Sequence, residues 1–163
     1  MSFELTLFNS SLIPKQTVTE IIKLNDDTAR YGLVLTERQA IELVETRNQS
    51  LKAAGRIELG NGIIDKLINA FCDSPYISLP NYAETLHELL EMFYYFKNET
   101  IDLISDDKLI EFMKTSFDGV CQGSLDLLSG RELDRLARNL RNGRAADYSE
   151  DTEEASGEED DNG

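Results

Sequence analysis

Cysteine and histidine are scarce in this chain of 163 residues, with two of the first and one of the second. Cys72 and Cys121 are too few and too far apart for a small disulfide scaffold or a CxxC metal site, so each reads as a small apolar side chain in a reducing compartment. A lone His87 excludes the paired Glu-x-x-His arrangement of di-iron carboxylate bundles, and any Ser-His-Asp triad would have to be built around that one residue. The sequence holds no Gly-rich phosphate loop of the Walker type, no nucleophile elbow and no HExxH. No window reaches the ~18 apolar residues of a membrane span, and no early stretch joins basic residues to a long apolar run. A cytoplasmic protein with no cofactor is therefore expected.

Acid, by contrast, is abundant. Asp and Glu number 31 against 16 Lys and Arg, and the charge is sorted by position. Residues 147–163 hold nine acids and no Lys or Arg, directly after a stretch, 131–144, that holds five arginines. Without that tail the body is only mildly acidic, at 22 acids against 16 bases. We accordingly expect a globular domain over 1–146 and a disordered acidic tail over 147–163, since so polar a segment buries too little apolar surface to fold. A body of 146 residues is large enough to bury roughly 68–70% of the surface of its unfolded chain. Its sign repels phosphate backbones, which disfavours nucleic-acid binding and leaves only a weak mode through the local arginines.

Apolar spacing is mostly helical. After a short strand pattern at Phe3, Leu5 and Leu7, helices are expected through Val18, Ile21 and Ile22, then through Ile41, Val44 and Leu51, then through Ile63, Ile64, Leu67, Ile68 and Phe71. Thr36 with Gln39 caps the second of these, and Gly55 suits its C-terminus. Asn81 with Glu84 repeats the capping signature before the most apolar element, whose stripe is Tyr82, Leu86, Leu89, Phe93 and Phe96. Ser105 caps a helix through Leu109, Ile110, Met113 and Phe117, a short helix falls within 119–128, and Ser129 with Glu132 opens the last one, with Leu133, Leu136, Ala137 and Leu140 inward. Residues 31–35 and 56–59 read as short extended segments. The fold class is mainly α, with five to seven helices and at most two or three short strands.

The segments Arg30-Tyr31-Gly32-Leu33-Val34-Leu35-Thr36, Gly55-Arg56-Ile57-Glu58-Leu59-Gly60, Phe71-Cys72-Asp73-Ser74-Pro75-Tyr76 and Phe93-Tyr94-Tyr95-Phe96-Lys97-Asn98-Glu99-Thr100 resemble those of an uncharacterised bacterial family from Gram-positive anaerobes. The resemblance covers about residues 3–143. It implies a bacterial cytoplasmic origin and brings no activity, cofactor or site residue.

Two constellations carry possible chemistry. On a helix Glu84, His87 and Glu91 share a face, so two carboxylates and an imidazole could meet a divalent metal in an enzyme or metal sensor. Their ordinary account is the solvated side of the central helix. Arg131, Arg135 and Arg138 recur at i, i+4 and i+7, with Arg141 and Arg144 extending the row beside the leucine stripe. Glu132, Asp134 and the helix macrodipole explain part of that pattern without a function. The remaining account is a noncatalytic protein-interaction or accessory module whose basic helix contacts an acidic partner surface, with the tail competing for it. A flexible tail of 17 residues spans roughly 22 Å, so its acids reach the helix at an effective concentration on the order of millimolar. Exposed ion pairs contribute only ~0–1 kcal/mol each, so masking of this kind is partial and salt-sensitive.

Overall fold

The computed structural model describes residues 14–58 and 62–143. The strand expected at Phe3, Leu5 and Leu7, Arg144 and the acidic tail lie outside the described residues. Helix dominates, and there is no strand among the described residues. The chain divides into two compact units between Tyr94 and Tyr95. The first holds α1 (Lys15–Lys23), α2 (Glu37–Ala54), α3 (Ile64–Phe71) and most of α4 (Leu79–Glu99); the second holds the end of α4, α5 (Asp106–Asp118) and α6 (Asp134–Arg141).

In the first unit, α2 starts where the sequence indicates. The Thr36 hydroxyl accepts from the Gln39 amide at 3.1 Å and the Gln39 side chain accepts from the Thr36 amide at 2.9 Å, which satisfies two donors that have no partner inside the helix. Gly55 closes it in the left-handed conformation, φ 70°. Leu43 and Val44 from α2, Ile64, Leu67, Ile68 and Phe71 from α3, and Leu86, Leu89 and Leu90 from α4 are all buried. Ile41, expected inward, is only half-buried, and Ala40 and Leu43 fill the interior in its place.

Two local expectations need correction here. Segment 31–35 is not strand-like: Tyr31 ends a 3-10 turn, Gly32 is left-handed at φ 80°, and the chain then runs irregularly to Thr36. Asn25 donates to the Leu35 carbonyl at 2.9 Å and accepts from the Leu35 amide at 2.8 Å, while the Thr28 hydroxyl donates to the Leu33 carbonyl at 2.6 Å. These side chains satisfy backbone groups that a neighbouring strand would otherwise pair, so Leu33 and Leu35 are buried without a sheet. Asn81 is likewise not the cap of α4, which begins earlier at Leu79. Its side chain accepts from the Ser78 amide at 3.0 Å, the reciprocal half of a capping box, and Pro80 falls in the first turn, where its missing N–H breaks no helical bond.

In the second unit, Ser105 caps α5 by accepting from the Lys108 amide at 3.2 Å, and Asp106 and Asp107 occupy its first turn as the helix dipole favours. Leu109, Ile110, Met113 and Phe117 are buried. The loop before α5 is held from beneath by Lys97, a buried ammonium that donates to the Ile104 carbonyl and lies 2.9 Å from Asp106. That loop places Ile101 and Asp102 in the left-handed region, at φ 54° and 56°. For a β-branched residue this conformation is an outlier that costs roughly 1–2 kcal/mol.

The last helix does not open at Ser129. Ser124 caps a turn at Leu125–Leu127 by accepting from the Leu127 amide at 3.1 Å, the chain continues through a π-helical turn at Leu128–Leu133, and α6 follows without a break. Ser129 instead donates to the Leu125 carbonyl one turn back, at 3.1 Å. The reason lies in the apolar spacing: Leu128 and Leu133 are five apart and both buried, and i→i+5 bonding brings such a pair onto one face.

Candidate interaction surface on the final helix

The π-helical turn has a second consequence, for Glu132. Its side chain is only 6% exposed, and its two carboxylate oxygens accept from Arg131 Nε at 2.8 Å and from an Arg135 guanidinium nitrogen at 2.6 Å. The residue expected to cap a helix thus anchors two arginines. Arg138 pairs with Asp134 at 2.9 Å, one helical turn away, and Arg141 reaches Glu99 on α4, 3.2 Å from its carboxylate and 2.9 Å from its carbonyl oxygen. Leu136, Ala137 and Leu140 face the interior, so the arginines of α6 are directed outward.

All four arginines therefore have an acidic partner, which charge counting alone leaves open. Their side chains nevertheless remain 36–61% exposed. A guanidinium carries five N–H donors and a single carboxylate leaves several of them for another acceptor. Two of the four share one carboxylate, that of Glu132. The face is thus a pre-oriented set of fork-shaped donors suited to carboxylates. Next to it Cys121 is buried; burial pushes its thiol up, Glu132 adds to that and Arg131 opposes it, so this cysteine is a poor nucleophile.

The metal constellation is not assembled in the same way. Glu84 and Glu91 are exposed, His87 is half-buried, and its Nδ1 lies 2.6 Å from the Thr46 hydroxyl of α2. Among the described residues, no group of three or more His, Cys, Asp or Glu is placed to hold a metal ion.

Sequence reading missed a polar cluster in the first unit. Arg47, inside the apolar row of α2, is buried with one guanidinium nitrogen 3.7 Å from Glu58, and the Tyr94 hydroxyl donates to the same Glu58 oxygen at 2.5 Å. Burial pushes the Tyr94 phenol up, and the Glu58 hydrogen bond and charge push it further. Gly62, left-handed at φ 58°, passes so close that a Cβ there would lie 1.8 Å from the Glu58 oxygen. An arginine at an inward helical position was the available signal. The cluster joins α2, the chain after it and α4, and its closed pairing marks it as structural.

No helix among the described residues is long and apolar enough to cross a membrane. Neither a curated protein nor a solved structure matches the chain. A family model does match, over residues 20–146, and takes in every helix described above except the start of α1. The chain accordingly belongs to a family of unknown function, DUF6323.

Proposed function

We propose that this chain is a noncatalytic protein-interaction or accessory module of the bacterial cytoplasm, which contacts an acidic protein surface through Arg131, Arg135, Arg138 and Arg141. One observation carries the reading: a helix whose apolar side is used in packing presents four oriented, partly exposed guanidinium groups, two of them held by one buried carboxylate. The exposed parts of such a face are suited to taking up further carboxylates. The nine acids of 147–163 follow directly in sequence and compete for the same donors. The tail thereby filters partners, admitting those that offer more or better placed carboxylates.

Removing residues 147–163 tests this. The shortened chain is expected to keep its Tm within error and to be retained more strongly on a heparin column at low salt, an advantage that shrinks as salt screens the pairs. Equal retention of the two chains refutes the masking.

A further inference from the structure

Among the aliphatic side chains that the second unit exposes, Ile101 and Leu103 lie beside the C-terminal end of the arginine face. Ile101 is 60% and Leu103 56% exposed, on either side of the exposed Asp102. Their backbone is well held: the Ile101 amide donates to Asn98 at 2.9 Å, the Leu103 amide donates to Thr100 at 3.0 Å, and Lys97 binds the loop from below. The backbone that carries the pair is thus held in place, which lowers the entropy lost when something covers it. Two residues before Ile101, the Glu99 carbonyl accepts from Arg141, so the aliphatic pair adjoins the C-terminal end of the arginine row.

We infer that Ile101, Leu103, Arg138 and Arg141 form a seat for this chain's own C-terminal segment, with Tyr148 against the aliphatic pair and the acids beyond it facing the arginines. Three observations select this occupant. The described chain ends at Gly143, two residues past Arg141. Tyr148 follows five residues later, a reach of up to about 17 Å. It is the one aromatic residue in 144–163, and nine acids accompany it with no base after Arg144. Charge alone would hold such a segment loosely, since exposed pairs are screened within ~8 Å at physiological salt. An aromatic ring on a fixed aliphatic surface adds a contact that salt does not weaken. A partner that displaces the tail must then offer an apolar group next to its acids. This inference rests on the masking reading above, and it adds the apolar half of the site.

Methyl NMR of the full chain, labelled at Ile and Leu, tests it. The Tyr148 ring is expected to shift the Ile101 and Leu103 methyl signals, so Tyr148→Ala and removal of 147–163 move both signals in the same direction, while Tyr148→Phe leaves them near their original positions. Signals that coincide in the full chain, in Tyr148→Ala and in the shortened chain overturn the inference. If heparin retention still rises on shortening in that case, the masking stands and is electrostatic only. Methyl shifts that persist in 1 M salt support the apolar contact, and shifts abolished by salt overturn it.

Discussion

Glu132→Gln separates the structural role of the arginine row from its exposed charge. The substitution keeps the shape of the side chain and removes its charge, leaving Arg131 and Arg135 facing a neutral amide at a site only 6% exposed. A hydrogen bond to a charged group contributes ~1.5–3 kcal/mol, against ~0.5–1.5 for a neutral one; the amide oxygen keeps one bond as a neutral one and the NH2 group cannot accept the other, so the two changes together set a range of about 2.5–4.5 kcal/mol. Both arginines are about half exposed, at 51% and 44%, and regain hydration when released. Screening of these half-exposed groups by solvent roughly halves the lower figure, to an expected loss of about 1–1.5 kcal/mol. For a body of this size the corresponding fall in Tm is about 5 °C. Thermal unfolding followed by far-UV circular dichroism measures it. The same variant removes the negative charge that two guanidinium groups share, so it is expected to bind heparin more tightly while being less stable. An unchanged Tm would show that Glu132 does not anchor the arginines, and weaker heparin retention would show that the row needs this anchor to present them.

Three further outcomes follow from the packing. Gly62→Ala is expected to cost about 2 kcal/mol in urea unfolding, since its Cβ displaces the Glu58 carboxylate from Tyr94 and the left-handed backbone disfavours a side chain. Ile101→Asn is expected to raise stability by about 1 kcal/mol, because asparagine tolerates the left-handed conformation far better, and a lower urea midpoint would refute the strain. Alkaline pH should unfold the protein through its buried phenols. Desolvation pushes Tyr82 up to about 12, against a smaller opposing effect of its hydrogen bond with Thr28, and Tyr94 is raised as well. The fold favours the neutral form, so this stabilisation is complete below the ordinary value of 10.0 and is lost as pH rises from there towards 12. In an ultraviolet titration, two of the six tyrosines should therefore ionise only together with unfolding.

The sequence alone determined the fold class, the helical rows and most helix ends, because these depend on neighbours within one or two turns. The Thr36–Gln39 box, the Ser105 cap, the Gly55 stop and the inward rows of α3 and α4 stand where local spacing puts them. It also located the arginine row and the change in charge that follows it. Where local patterns compete, tertiary structure decided. Asn25 and Thr28 took the hydrogen bonds that would have made 33–35 a strand, and the five-residue step from Leu128 to Leu133 required a π-helical turn that turned Glu132 inward. The partners of the arginines were settled in the same way. Arg141 meets a residue 42 positions away, and Arg47 was drawn into the interior by Glu58. Charge shows that a residue needs a partner, but only the packed chain brings that partner close enough to satisfy it at low cost in desolvation.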